Sequence, residues 1–420
     1  MAETPKTRLS LETLAISAGY DAAEHQGAAK PPIYMTSTFV YPSAAQAKAV
    51  HQAFFDGEVP EKSGKNGFIY ARLDHPNLVM AQARIATLDR AEDSALFASG
   101  MAAVSTLAQC FLRPGDSVLH SRPIYGGTDM LLHTHMTEMG VHPVGFTDGV
   151  DEAHLTQMAD AAMARGPLTL IMVESPANPT CAIADIALIS RLADRVALAQ
   201  GRRPIISVDN TFLGPFLQSP LEHGADLCLT SLTKYAGGHS DFMGGSISGP
   251  NALVGKLKKL RTLMGNHADP HNCWMLLRSV ETMALRTERA VANARTIATF
   301  LRDHPKVVRI TYLGFLAEGS PERAVYDRQC AAPGSTFSFD VEGGEAGAFR
   351  FLDRLRLLRF AVSLGGTETL ICHPATTTHY AVPEEARAAV HIGPATMRVS
   401  VGIETASDLV ADLAQALEAV

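Results

Sequence analysis

Lys234 and Asp209 are the residues whose types and positions most directly suggest chemistry. Lys234 stands in the segment Ser231-Leu-Thr-Lys234, among small and hydroxyl-bearing neighbours, and Asp209 ends an apolar run that begins at Ile205. A lysine amine shifts its pKa readily when it is removed from water, as Schiff-base chemistry requires. A carboxylate at the end of a buried strand is suited to a protonated pyridine nitrogen. Together, the two residues indicate a site for pyridoxal phosphate.

The same lysine permits a second interpretation from a different enzyme class. Ser231-Leu-Thr-Lys234 matches the Ser-x-x-Lys signature of serine β-lactamases and penicillin-binding proteins. Those enzymes also carry Ser-Asp-Asn and Lys-Thr-Gly, whereas this sequence has Ser240-Asp-Phe and no Lys-Thr-Gly. Because so short a motif also arises by chance, this alternative is weak.

Ser99-Gly100-Met101 lies between a predicted strand and a predicted helix. Glycine lets the backbone approach a ligand, and the first amides of a helix are free donors in a favourable dipole. With the hydroxyls of Ser231 and Thr233, this turn could form a cup for a phosphate group. A plain strand-to-helix turn explains the segment equally well.

Other ligand-binding patterns are weaker. The segment from Gly249 to Lys256 is one residue too long for a P-loop, and no Gly-x-Gly-x-x-Gly follows a strand. Histidines occur in pairs at 133 and 135 and at 267 and 271, but zinc sites normally combine three or four convergent ligands. We expect these histidines to lie in loops or on helix faces, and we predict no metal site.

Tyr125 and Arg398 are two further candidates. Tyr125 follows a predicted strand, where an aromatic ring could stack on a flat ligand, although a lone tyrosine is more often a core residue. Arg398 lies within an apolar strand, and a buried guanidinium needs an anionic partner. That partner is either the carboxylate of a ligand or an internal one, for which Glu404 is the nearest candidate.

Composition limits the possible partners. The chain has 420 residues, 46% of them hydrophobic and 19% charged, and its net charge of −7 gives no basic surface for nucleic acid. No apolar stretch reaches the length of about 18 residues that a membrane span needs. The six cysteines are scattered and the first residues do not resemble a signal peptide. We therefore expect a cytoplasmic protein that binds neither nucleic acid nor membrane.

The elements that position these residues follow from the hydrophobic pattern. From about residue 77, short apolar runs alternate with helical patterns, which predicts an α/β fold with a mostly parallel sheet covered on both faces. Ligands of such sheets lie at the carboxyl ends of the strands. The predicted strands begin at Ser94, Ser117, Leu168, Ile205 and Leu227.

The regions on either side of this pattern differ from it. The first 68 residues look irregular and include a polar loop at 57–67, a length that is usually functional or reaches another chain. A helix predicted at about 273–303 would lead into a smaller α+β region. We therefore expect an N-terminal arm at 1–68, a cofactor-binding domain at 69–285 and a C-terminal domain at 286–420.

Several motifs in order resemble one known family. The segments Val208-Asp-Asn-Thr-Phe, Thr230-Ser-Leu-Thr-Lys-Tyr and Gly238-His-Ser-Asp resemble the signature of the cysteine/methionine-metabolism family of pyridoxal-phosphate enzymes. That family includes cystathionine γ-synthase, cystathionine γ- and β-lyases, methionine γ-lyase and O-acyl-homoserine sulfhydrylases. The resemblance extends from about residue 30 to the C-terminus. Further matching segments begin at Tyr70, Ser99, Tyr125, Glu174, Ser363, His373 and Arg398.

The resemblance implies a fold and a set of residue roles. The fold would be that of a fold-type-I pyridoxal-phosphate-dependent transferase, with a seven-stranded sheet in the large domain, assembled as a homotetramer of two dimers that share their active sites. Lys234 would carry the cofactor and act as general base, with Tyr125 assisting proton transfer. Asp209 would contact the pyridine nitrogen of the cofactor, and Asn178 and Thr211 would lie near its ring. The phosphate would be bound by Gly100, Met101, Ser231 and Thr233. Tyr70 and Arg72 would reach across to the phosphate of the adjacent subunit. Ser363 and Arg398 would hold the carboxylate of an amino-acid substrate.

The implied reaction takes place at the γ-carbon of a sulfur amino acid or an activated homoserine. Our first choice is elimination by a C–S γ-lyase, with γ-replacement by a synthase second and a non-catalytic regulator of the same fold as a remote alternative. Three departures from the family pattern bear on the substrate: His75 replaces a usual asparagine, and Gly127 and Gly366 stand where methionine γ-lyases commonly carry cysteine and aspartate. The two glycines favour the cystathionine enzymes.

Overall fold

Two β-sheets organise the chain, for which the computed structural model describes residues 9–56 and 67–420. The first sheet has seven strands in the order β1-β7-β6-β5-β4-β2-β3. Six of these strands are mutually parallel, and β7 is antiparallel to both of its neighbours. The strands are β1 (Asp93–Phe97), β2 (Ser117–Ser121), β3 (His142–Phe146), β4 (Leu168–Glu174), β5 (Ile205–Asp209), β6 (Leu227–Thr230) and β7 (Gly245–Gly249).

Helices cover both faces of this sheet. Along β4, Leu170 and Met172 belong to one hydrophobic cluster, and Ile171 and Val173 belong to another. Successive strand residues point to opposite faces, so a strand covered on both sides is typically a nearly continuous apolar run, as β4 is up to Val173 except for Thr169. The helices of this part are α1 (Leu11–Ser17), α2 (Ala44–Asp56), α3 (Pro76–Leu88), α4 (Gly100–Phe111), α5 (Gly126–Met130), α6 (Glu152–Met163), α7 (Ile186–Gln200), α8 (Asn251–Met264) and α9 (Pro270–Val280).

The second sheet has five strands in the order β10-β11-β12-β9-β8, antiparallel except for the β10–β11 pair. Its strands are β8 (Val307–Thr311), β9 (Thr336–Val341), β10 (Arg359–Phe360), β11 (Leu370–Cys372) and β12 (Thr396–Ser400). The accompanying helices are α10 (Met283–Arg302), α11 (Pro321–Gln329), α12 (Gly344–Leu352), α13 (Glu384–Ala388) and α14 (Ala406–Leu417). This architecture confirms the predicted α/β fold with a seven-stranded sheet and a smaller α+β part.

Three local predictions were wrong. The first 68 residues are not irregular throughout, because they contain α1, which Ser10 caps, and the alanine-rich α2. The helix predicted at 273–303 is two helices, since the chain leaves the helical conformation at Thr282. In the C-terminal part, the sequence from Arg359 to Ser363 also predicts a strand, but only Arg359–Phe360 forms one. The loop predicted at 57–67 lies, apart from Gly67, outside the described residues.

The predicted division at residues 285 and 286 falls just inside α10, and the domain boundaries stay a prediction. Within the two described ranges, the structure has no helix that is both long and apolar enough to cross a membrane. All six cysteines are free thiols. The cytoplasmic location stays a prediction.

Candidate active site

The carboxyl ends of β4, β5 and β6 bring the main candidates together. Glu174 ends β4, Asp209 ends β5, and the two residues are register partners in the sheet. Ser231 follows directly on β6, three residues before Lys234. Parallel strands present their carboxyl ends at one edge, so one crevice receives side chains that are distant in sequence.

Lys234 is partly buried, and its amine donates a hydrogen bond to the Ser363 hydroxyl at 2.8 Å. Burial, and secondarily the nearby Arg398 guanidinium, lower the pKa of Lys234 to about 8. Both effects disfavour the charged ammonium. Ser363 has a φ of 91°, which lies in the left-handed region of the backbone. This conformation is energetically unfavourable for any residue that has a Cβ atom. The structure thus joins the predicted catalytic lysine to a predicted substrate residue.

Arg398, on β12, is 2% exposed. Its Nη1 donates to Asn178 Oδ1 at 3.1 Å and its Nη2 donates to the Ser363 carbonyl oxygen. Its Nε is buried and has no hydrogen-bond partner among the described residues. The internal salt bridge with Glu404 that we considered is not formed, because the Glu404 carboxylate accepts instead from the Thr369 amide and hydroxyl. The guanidinium therefore keeps a donor free for an anion.

Asp209 is held by its own turn. Its Oδ1 accepts hydrogen bonds from the Thr211 amide at 3.0 Å and the Thr211 hydroxyl at 2.5 Å. The same hydroxyl accepts from the Ser231 amide at 2.9 Å, which ties the ends of β5 and β6 together. No described residue donates to Oδ2, so this oxygen is available to a cationic N–H group. Burial raises the pKa of Asp209.

Glu174 is a site residue to which the sequence analysis gave no role. It is buried, with Oε2 accepting from the Tyr125 amide at 2.6 Å and Oε1 accepting from the Asn178 amide at 2.8 Å. Burial first, and the charge of Asp209 second, raise the pKa of Glu174 to about 8. One carboxyl group thus positions two of the predicted site residues. Its place at the end of an apolar run, like that of Asp209, was the signal that could have identified it.

The start of α4 meets the loop after β6. Ser99 caps this helix by accepting a hydrogen bond from the Ala102 amide at 3.0 Å. The amides of Gly100 and Met101 lie in the first turn, where a helix has no internal acceptor for them. A Cβ at Gly100 would lie 2.9 Å from Ser231 Oγ and 3.0 Å from Ser231 Cβ, so glycine lets the two segments approach without displacing the serine side chain. The two segments form a cradle suited to an anion.

Thr233 and Tyr125 are two further predicted site residues near this cradle, Thr233 on the loop after β6 and Tyr125 just before α5. The Thr233 hydroxyl both donates to the Gly244 carbonyl and accepts from the Gly244 amide, so it is already engaged. Tyr125 is 41% exposed and precedes α5. A Cβ at Gly127 would lie 2.7 Å from the Tyr125 ring and 3.1 Å from Met101 Sδ. Tyr125 therefore stands next to the start of α4, with its ring available to a ligand.

Tyr70 and Arg72 are not brought to Lys234 by any described contact. Tyr70 is exposed and pairs with Thr38 in an isolated bridge, while Arg72 Nη1 donates to the Thr262 carbonyl at 2.8 Å. His75 is fully buried and caps α3 by accepting from the Leu78 amide at 3.1 Å. Its other ring nitrogen lies 3.0 Å from the Ala268 carbonyl and donates to it. His75 thus has a structural role in its own chain.

The assembled groups fit pyridoxal phosphate. They comprise an amine of lowered pKa, a carboxylate with a free oxygen, an anion cradle that a Cβ at Gly100 would fill, and an arginine with a partnerless Nε. A cavity of about 690 Å³, lined in part by Thr233 and Ser363, adjoins these groups and gives room for an amino acid.

Comparisons with known proteins agree with this geometry. The model of the Cys/Met metabolism PLP-dependent enzyme family matches residues 12–418. The chain is 39% identical to an L-methionine gamma-lyase of Pseudomonas putida over 97% of both chains. It is 34% identical to an O-succinylhomoserine sulfhydrylase of Pseudomonas aeruginosa over 98% of this chain and 96% of that one. A cystathionine gamma synthase structure from Xanthomonas oryzae pv. oryzae superposes with a TM-score of 0.86, at 32% identity and 98% coverage of both chains. The chain therefore belongs to the family of pyridoxal-phosphate-dependent enzymes of cysteine and methionine metabolism.

Proposed function

We propose that this enzyme is a C–S γ-lyase that converts methionine or cystathionine, with water, into 2-oxobutanoate, ammonia and a thiol. The observation that carries the proposal is the link from Lys234 through Ser363 to Arg398, which sets a base beside a carboxylate-binding group. The likeness to a methionine gamma-lyase along nearly the whole chain supports elimination as the first choice.

The residues that would hold the cofactor follow from the geometry. Asp209 would bind the protonated pyridine nitrogen, with Thr211 fixing the carboxylate, and Asn178 would lie beside the ring. Gly100, Met101 and Ser231 would bind the phosphate, and Thr233 would join them while keeping one of its bonds to Gly244. When bound, pyridoxal phosphate supplies an electron-accepting ring that makes the hydrogens on the substrate α- and β-carbons acidic.

The side chains would then divide the work on the substrate. Arg398 binds the α-carboxylate with its free Nε and so fixes the orientation of the amino acid. The Lys234 amine lies close to Ser363 and is half neutral near pH 8 because its pKa is lowered. In its neutral form it takes the α-proton, and it then carries protons between carbon atoms as general base and acid. Tyr125 stacks over the ring and passes a proton to the departing sulfur, while Glu174 holds the Tyr125 backbone in place.

Replacing Arg398 by lysine is expected to reduce kcat/KM by about 10²-fold, mainly through KM. Lysine keeps the positive charge but lacks the planar fork that contacts Asn178, Ser363 and a carboxylate together. Steady-state kinetics with an amino acid and with its carboxamide analogue measure the effect. The disadvantage of the carboxamide should become smaller in the variant, because the lysine charge remains but the two-point contact is lost, and an unchanged preference for the acid would show that Arg398 does not bind this group.

The lowered pKa of Lys234 predicts a distinct pH dependence in the cofactor-free protein. Only the neutral amine is nucleophilic, so modification of Lys234 by trinitrobenzenesulfonate should rise through a midpoint near pH 8. Lys259, which is exposed on α8, serves as the reference lysine in the same sample. Peptide mass spectrometry gives both curves in one sample. An Arg398→Gln substitution should move only the Lys234 midpoint upward, and identical midpoints for both lysines would contradict the assignment.

The second candidate function is γ-replacement, in which a thiol adds to the carbon that the leaving group has left. The likeness to the O-succinylhomoserine sulfhydrylase favours it. A substrate panel separates the two functions: purified protein is given methionine, cystathionine, O-acetylhomoserine or O-succinylhomoserine, with and without a thiol. Keto acid formed from methionine or cystathionine without added thiol supports the lyase. A thioether formed only from an acyl-homoserine supports the synthase.

We also propose that the enzyme is a homotetramer of two dimers, in which Tyr70 and Arg72 reach the phosphate site of the adjacent subunit. The exposure of Tyr70 and the absence of described contacts from either residue to Lys234 support this arrangement. Mixing two inactive variants, Lys234→Ala and Arg72→Ala, tests it. Hybrid oligomers should recover activity, because one active site then has both residues intact, and recovery should fail if each chain is self-sufficient.

A further inference from the structure

A second cluster of polar residues lies beside the active site and contains His120, Asp129 and His133. His120 is on β2 and fully buried, Asp129 is on α5, and His133 is on the π-helical turn Leu131–Met136 that follows α5. One ligating atom from each residue lies within 4.8 Å of the other two. We propose that this His120–Asp129–His133 cluster binds a divalent transition-metal ion, best matched by Zn²⁺.

The distances suit a tetrahedral ion. His120 Nε2 and His133 Nε2 are 2.9 Å apart, and His133 Nε2 is 3.7 Å from Asp129 Oδ1. Ligands at zinc distances of about 2.0–2.1 Å are roughly 3.3 Å apart around a tetrahedron. The two observed separations lie on either side of that value, and the third, between His120 and Asp129, is at most 4.8 Å. Side-chain rotations that bring Asp129 towards His120 and move the two imidazoles slightly apart would complete the geometry.

The histidine at the base of the cluster is in the ligating form. His120 Nδ1 lies 3.0 Å from the Ser121 carbonyl oxygen, which only accepts, so Nδ1 carries the hydrogen and Nε2 carries a lone pair. A backbone carbonyl that accepts from the second ring nitrogen is how proteins usually orient a metal-binding histidine.

His133 faces two neighbours with opposite requirements. His120 Nε2 needs a donor, whereas the Arg122 Nη2 group, also 2.9 Å from His133 Nε2, needs an acceptor. One nitrogen atom cannot serve both. An ion between the two imidazoles, with Arg122 turned away, would give a partner to both Nε2 atoms, and Asp129 would balance part of the added charge. Arg122 is therefore a competitor for the site, and its Nε is buried without a partner among the described residues.

A cavity provides the space for this exchange. It has a volume of about 260 Å³, and Arg122, Asp129 and His133 all line it. The cavity gives Arg122 room to move and leaves the fourth metal position open to water. Since Tyr125 begins the same short helix that carries Asp129, the ion would fasten this helix to β2 beside the active site.

This proposal departs from the sequence analysis, which predicted no metal site and paired His133 with His135. In the structure His135 is exposed, and no described contact joins it to the cluster. It therefore provides a matched control on the same π-helical turn.

Zinc titration of the untagged, chelator-washed holoenzyme by calorimetry tests the proposal, with ZnCl₂ as the titrant and elemental analysis for stoichiometry. We expect one high-affinity zinc ion per chain. His133→Ala and Asp129→Asn should each weaken binding roughly tenfold or more, and His135→Ala should not. Arg122→Met should strengthen binding, a gain that a misfolded variant would not give. Absence of binding, or equal affinity in the His133, Asp129 and His135 variants, would overturn the proposal.

Discussion

The Lys234→Ala variant is expected to lose turnover by about 10⁴-fold or more. Alanine removes the amine that we propose carries the cofactor, and within residues 9–56 and 67–420 it also removes the only base in contact with Ser363. It leaves a small space in the crevice between the two sheets and no unpaired charge, so the fold should persist. The visible absorbance of the purified enzyme should also change, because the cofactor is no longer attached to the protein.

Two further measurements separate this effect from a loss of structure. Small primary amines such as methylamine should partly restore turnover in the alanine variant, since they can occupy the space and accept a proton. The matched control is Lys259→Ala, which removes an exposed lysine from α8 and should keep activity and spectrum. Turnover of the alanine variant within tenfold of the native enzyme would show that another group is the base.

Residues that end apolar strands were the part of the site that could be predicted from sequence. Asp209 was identified because the run before it is apolar except for Ser207, a pattern typical of a strand buried on both faces. Lys234 was identified by its hydroxyl-bearing neighbours soon after another such strand. These features are local, so the order of residues along the chain is enough to recognise them. The same reliance on apolar runs explains why β7 was not predicted. Its sequence, Gly-Ser-Ile-Ser-Gly, has no apolar run although the strand is fully buried.

Contacts between distant residues could not be predicted in this way. Lys234 and Ser363 are 129 positions apart, and Arg398 and Asn178 are 220 apart. Sequence alone favoured Glu404 as the internal partner of Arg398 only because it is close along the chain. Glu174 and the His120–Asp129–His133 cluster depend likewise on which strands are neighbours. The order of strands in the sheet, which local patterns do not determine, decides each of these sites.

Replacing Asp209 by asparagine is expected to lower kcat/KM by on the order of 10²–10³-fold while the cofactor stays bound. The shape of the side chain and one acceptor oxygen for Thr211 are retained. What is lost is the negative charge that would keep a proton on the pyridine nitrogen and so maintain the electron-accepting character of the ring. The neutral asparagine side chain does not stabilise the positive charge of the protonated pyridine nitrogen, so at neutral pH the nitrogen would lose its proton to water.

The neighbouring Glu174 makes the experiment more decisive. Asp209 raises the pKa of Glu174 to about 8 together with burial, the larger cause. Removing the aspartate charge lowers that pKa, so in Asp209→Asn the second carboxyl group ionises more readily at neutral pH and could act as a substitute anion. If it did, the double variant Asp209→Asn/Glu174→Gln would be much less active than Asp209→Asn, whereas Glu174→Gln alone would cause a smaller loss through misplacement of Tyr125 and Asn178.

The comparison of Asp209→Asn with Asp209→Glu distinguishes charge from geometry. Glutamate keeps the charge but moves it by one methylene, which strains the contact with Thr211 and still supplies an anion in the same crevice. We therefore expect Asp209→Glu to retain clearly more activity than Asp209→Asn at equal cofactor occupancy, measured from the phosphate content of the purified proteins. If the asparagine variant instead equals the native enzyme, the ring nitrogen needs no carboxylate here, and the electron-accepting role must be assigned to other groups around Lys234.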